Sequence, residues 1–192
     1  MTDATTRAQP TAFLRQRIRS GELDERRVQL AAWLGYEPAL QAAEPVGPED
    51  VPSWAADWSP AHRVLRWGGA LTHVEIVTLA CDFAERVPQE DAGRAAIAAA
   101  RAWASCPCEE HRQAAKAAEA AASAVIAADT AAAVIAAAAA SAAVAASAGW
   151  VAAKAAAWAA AKAAWAADAA WAAGEAGEID WQTQRIAEVL CG

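Results

Sequence analysis

Apolar residues recur along this chain at three- and four-residue intervals, the spacing of one helix face, and the alternation that marks strands is nearly absent. Residues 10–19 read as a short basic helix stopped by Ser20-Gly21. Asp24 then caps a helix over 25–34, whose apolar positions Val28, Leu30, Trp33 and Leu34 follow Leu23, with Gly35 as the stop. Residues 44–60 carry Pro45, Gly47, Pro48, Pro52 and Pro60 and predict a loop. That loop closes on Ser59-Pro60, an N-cap followed by proline in the first helical turn.

Further on, the helix starts are sharper. Thr72 and Glu75 have the spacing of a capping box and open a helix through 87, ended by Pro88. Asp91 caps a helix over 92–104, and Cys106-Pro107 with Glu109 and Glu110 opens another. Asp129-Thr130 and Gly149 divide the tract that follows, Gly174 and Gly177 end it, and Asp180 caps a last helix over 181–190. The fold class is therefore all-α: an Ala-rich multi-helix bundle or array of roughly seven to nine antiparallel helices joined by short loops. Its expected organisation is an N-terminal helical module over 1–43, a Pro-rich loop over 44–60 and an Ala-rich helical bundle domain over 61–192.

Composition sharpens this picture. Alanine supplies 63 of the 192 residues, so helix is favoured over most of 92–173 without tertiary help. Each alanine buries little area, so larger side chains must stabilise the core, and the ten tryptophans are the expected suppliers, in layers between Ala-on-Ala seams. Residues 130–153 carry no charge, yet alanine is near neutral for bilayer insertion and Lys154 and Lys162 follow at once. A buried helix is expected there, with no membrane span.

Charge is unevenly placed. The net charge is -7, and residues 44–92 hold three Lys/Arg against nine Asp/Glu. Such a block repels phosphates, which argues against nucleic acid and for a basic protein partner. Four cysteines make no disulfide framework and the N-terminus has no basic-then-apolar leader, so a reducing cytoplasm is expected.

Candidate chemistry is sparse. Trp150, Lys154, Trp158, Lys162, Trp165 and Asp168 fall within about 120° of one another on a helix, a stripe that suits either core packing or an aromatic platform for a partner. Cys106-Pro107-Cys108-Glu109-Glu110-His111 gathers soft and imidazole ligands but lacks a second pair, so no metal and no cofactor is expected. His62, His73 and His111 sit in no nucleophile motif, and Asp82 with Glu85 reads as an ion-paired face, so no catalytic residue is expected.

Residues 79–104 contain Cys81-x-x-x-Glu85-Arg86-Val87, then Arg94-x-x-Ile97-x-x-x-Arg101-x-Trp103-Ala104, followed by a long Ala-rich tract. This run, over roughly 68–173, resembles a family of immunity proteins of bacterial polymorphic toxin systems. Family members interleave His with Ala in the tract, where this chain has Ser141 and Ser147. The resemblance implies an all-helical, non-catalytic protein that neutralises a toxin made from a neighbouring gene. Residues 21–35 resemble short helical modules found ahead of other bacterial domains.

The expectation is a cytoplasmic protein that occludes a basic toxin. Its acidic surface would include Asp57, Glu75, Asp82 and Glu85, with Trp54 and Trp58 as anchors and the stripe from Trp150 to Trp165 as a second contact. A self-assembling helical scaffold, using Ala faces and the Trp stripe to form a homo-oligomer, is the alternative.

Overall fold

The computed structural model describes residues 9–86, 91–128 and 177–192. The protein is all-α, and among the described residues eight α-helices and no strand occur. They are α1 (Gln9–Ser20), α2 (Glu25–Trp33), α3 (Glu37–Leu40), α4 (Pro60–Trp67), α5 (His73–Glu85), α6 (Asp91–Ser105), α7 (Glu109–Ala128) and α8 (Glu178–Cys191). None of these is long and apolar enough to cross a membrane, and the uncharged stretch over 130–153 lies outside the described residues.

Local signals place most helix ends. Asp24 accepts from the Arg26 amide at 2.9 Å, and Gly35 takes a left-handed φ of 86° just past α2, where a side chain would be strained. The hydroxyl of Ser59 accepts from the His62 amide with Pro60 in the first turn of α4. Thr72 and Glu75 close the full capping box, with the Thr72 amide 2.8 Å from Glu75 Oε2 and the Glu75 amide 3.3 Å from Thr72 Oγ1. The last helix departs from expectation. It begins at Glu178 rather than after Asp180, because the Trp181 amide bonds the Gly177 carbonyl at 2.8 Å and Gly177 takes a φ of 143°. Inside the predicted loop, Ser53–Ala55 form one 3-10 turn.

The chain divides into two compact units, residues 1–71 with 183–192, and residues 72–182. In the first, α3 packs on α2 and α1. Leu14, Leu23, Val28, Leu30, Val64, Leu65, Ile186 and Leu190 are its larger buried aliphatic side chains among the described residues. Residues 46–47 lie against α2: the Val46 amide bonds the Gln29 carbonyl at 3.3 Å and Arg26 donates to the Gly47 carbonyl at 2.8 Å. A Cβ on Gly47 would stand 2.7 Å from Trp33 Nε1, so glycine is required for this approach.

In the second unit α5 packs on α6 and α6 on α7. His73 meets Trp103 with 4.6 Å between ring centroids, whereas Cys81 lies beside the Ile97 carbonyl, so α5 and α6 run antiparallel. Ala80 and Ala84 on α5 and Ala96 and Ala100 on α6 are fully buried, the small-residue packing expected of this composition. The tryptophans behave differently from expectation. Of those described, Trp103 alone is buried, and Leu79, Phe83, Leu30, Ile186 and Leu190 are the largest fully enclosed aliphatic and aromatic side chains. Trp33, Trp58, Trp67 and Trp181 are half-buried and Trp54 is exposed, so leucine, isoleucine and phenylalanine supply most of the large enclosed side chains among the described residues.

Candidate functional site

The proline-rich stretch ends in an aromatic cluster. Trp54 comes from the 3-10 turn, Trp58 from the residues just before α4 and Trp67 from its last position. The three rings make one cluster: Trp54 is edge-on to Trp58 and to Trp67, with centroids 5.4 Å and 5.9 Å apart, and Trp58 is tilted against Trp67 at 5.3 Å. Each contact of this kind adds about 0.5–1.5 kcal/mol to simple burial. Trp58 and Trp67 are half-buried beneath, while Trp54 is 65% exposed.

The same loop is acidic. Glu49, Asp50 and Asp57 are exposed, and Glu49 approaches Arg26 at 3.8 Å, largely in solvent. An ion pair so exposed is weak and readily exchanged for a partner's cation. Asp50 holds a left-handed φ of 55°, a conformation that Asp tolerates better than most residues. Behind the cluster, His62 is 2% exposed; Trp58 lies edge-on to it at 6.4 Å and Ser59 Oγ is 2.6 Å from its Nδ1. Burial pushes its pKa down to about 4, so it is a neutral structural imidazole at pH 7.

The other acidic candidates are occupied. The Glu75 carboxylate caps α5. Asp82 and Glu85 both accept from Arg101, at 2.6 Å and 2.7 Å from Nη2 and 3.1 Å from Nε. Burial works against the Arg101 charge, but its hydrogen bonds to Glu85 and Asp82 outweigh that and hold its pKa above the ordinary value. Cys81, one turn from Glu85, is buried, and desolvation pushes its thiol up to about 12. Cys81 and Glu85 of the first run and Ile97, Arg101 and Trp103 of the second thus join α5 to α6. Arg86 also lies over the Trp181 ring, 4.7 Å from its centroid.

Trp150, Lys154, Trp158, Lys162 and Trp165 lie outside the described residues. Of the predicted site residues, Trp54, Asp57 and Trp58 share one loop of the first unit, and Glu75, Asp82 and Glu85 belong to the second. Trp67 was not legible as a member of the cluster, since only the turn at Ser59-Pro60 brings the end of α4 back to Trp54. At the start of α7, the ligand atoms of Cys106, Cys108 and His111 lie within 4.8 Å of one another. Comparison of the chain with profiles of known protein families, with curated proteins and with solved structures finds no match.

Proposed function

We propose that this is a non-catalytic immunity-like protein that neutralises a cognate bacterial toxin by covering it, acting in the cytoplasm. The observation that carries this reading is Trp54, an indole two-thirds exposed yet fixed in place by Trp58 and Trp67. A rigid aromatic side chain offered to solvent loses little entropy on binding, and Trp is enriched among residues that dominate interfaces. The exposed Glu49, Asp50 and Asp57 of the same loop favour a basic partner and speed its capture. The one fully buried histidine described, His62, is neutral and enclosed, which suits a scaffold better than proton transfer.

The test is co-expression with the product of the adjacent reading frame in a growth assay. Protection from a toxic neighbour is expected, with loss of protection in Trp54→Ala and in Asp57→Lys while thermal melts stay near the parent. Absence of toxicity in the neighbour, or full protection by both variants, would sink the proposal. A chain that sizes as a long oligomer at all concentrations would favour the scaffold reading instead.

A further inference from the structure

The turn between α6 and α7 plays no part in the toxin-binding reading, yet it gathers three metal-ligand side chains. We propose that Cys106, Cys108 and His111 form a surface site for one zinc ion, held by two thiolates and one imidazole with the fourth position open to solvent.

The backbone builds this arrangement in two steps. Proline fixes φ near the value of an inverse γ-turn, and across Pro107 the Cys108 amide bonds the Cys106 carbonyl at 2.7 Å. That tight turn folds the two cysteines back together. Cys108 is then the residue before the first helical position of α7, and its carbonyl accepts from the Arg112 amide at 3.0 Å. His111 therefore stands three positions beyond the cap. This is the capping-box spacing that joins Thr72 to Glu75 at α5, here with ligand side chains in both places. As a result Cys108 Sγ and His111 Nδ1 are 3.4 Å apart.

The distances fit the ion. Zinc bonds sulfur at about 2.3 Å and nitrogen at about 2.0–2.1 Å, so tetrahedral ligand atoms stand roughly 3.5–3.8 Å from one another. The Cys108–His111 separation is close to that spacing, and all three atoms lie within 4.8 Å, about an ångström from closing on an ion. Three protein ligands and a solvent molecule complete four-coordination without the second ligand pair that a closed structural site requires. Cys106 is exposed and Cys108 and His111 are half-buried, so an ion can enter directly.

The proton balance is definite. His111 Nδ1 is 3.0 Å from the Cys106 carbonyl, which can only accept, so Nδ1 carries the imidazole proton in the metal-free protein. Binding through Nδ1 shifts that proton to Nε2 and releases the two thiol protons to solvent. Two thiolates and a neutral imidazole leave the zinc site with no net charge, and because binding releases protons, apparent affinity rises with pH.

Cobalt is the direct probe. The full chain, reduced with a phosphine and stripped with a chelator, is titrated with Co(II) and then with Zn(II). One equivalent of cobalt per chain is expected, with a thiolate-to-cobalt charge-transfer band and the visible bands of a four-coordinate ion, both bleached by zinc. The charge-transfer band should disappear in Cys106→Ser and in Cys108→Ser, and His111→Ala should lose most of the cobalt affinity. All three side chains are at least partly exposed, so circular dichroism should show unchanged helix in each variant. No charge-transfer band, a band that survives both serine variants, undiminished affinity in His111→Ala, or half an equivalent per chain would each overturn the proposal.

Discussion

The guanidinium of Arg27 donates from Nε to the carbonyl of Leu190 at 2.9 Å, across 163 residues of sequence. Its Nη2 reaches the Val189 carbonyl at 2.7 Å and its Nη1 the Ala70 carbonyl at 3.1 Å. Arg17 adds a bond to the Cys191 carbonyl at 2.8 Å. The last carbonyls of a helix have no partner within it, and a cation there also meets the negative end of the helix dipole. Two arginines from the start of the chain thus complete the end of α8.

Arg27→Ala is expected to cost about 2–3 kcal/mol, since it strips charged donors from several carbonyls at once. Arg27→Lys should recover only part of that, because an ammonium lacks the planar fork that spans neighbouring acceptors. Urea unfolding checks both. Full rescue by lysine would show that charge alone, without the fork, holds the helix end.

Arg101 carries the corresponding role between α5 and α6. The Asp82 side chain is only 12% exposed, so removing its partner leaves a carboxylate poorly solvated. Arg101→Gln is expected to destabilise by about 2 kcal/mol, and Asp82→Asn in the same chain should return part of that loss. A change of a few tenths in Arg101→Gln would mean that the network behaves as a screened surface pair.

Stability should fall as the solution is acidified, and His62 sets part of the window. Its pKa in the fold is lowered to about 4, whereas in the unfolded chain it is near 6.5. Below pH 6.5 the unfolded state takes up a proton that the folded state refuses until about pH 4, so unfolding is favoured progressively across that interval. The full loss is about 3 kcal/mol and is complete below the folded value. Denaturant melts between pH 7 and pH 4 should show this slope, and His62→Gln should flatten it. An equal slope in the variant would place the acid sensitivity elsewhere.

The four thiols divide into two classes. Cys81 and Cys191 are buried, and burial pushes their pKa up to about 12 and about 11. Cys106 and Cys108 have solvent access. In the chelator-treated protein at neutral pH, a maleimide should therefore label two cysteines quickly and the other two only after denaturation. Mass spectrometry identifies the sites. Labelling of Cys81 in the folded protein at the rate of Cys106 would contradict the packing of α5 on α6.

Helix boundaries were the most readable part of the sequence because each rests on a contact between near neighbours. Asp24, Ser59-Pro60, Thr72 with Glu75, and Gly35 act within one turn, and their spacing is their geometry. Asp180 misled because two cap signals compete within three residues, and the Gly177 carbonyl already accepts from Trp181. At the loop, the sequence marked Trp54, Asp57 and Trp58 by composition and charge. It did not mark Trp67, nor which acids stay available, since Glu75, Asp82 and Glu85 are distinguished from Asp57 only by what stands opposite them.

By itself, then, the sequence determined the all-α class, the caps at Asp24, Ser59 and Thr72, and the small-residue packing, because helix propensity, capping and methyl-faced seams depend on residue identity and short spacing. It also placed two cysteines and a histidine at one helix start, six residues that fold locally. Only the tertiary structure decided that Arg27 finishes α8, that Arg101 takes two of the acids, and that Trp103 is enclosed while Trp54 is left in solvent. Those outcomes turn on which long side chain reaches which neighbour after the helices have packed, and sequence separation carries no information about that distance.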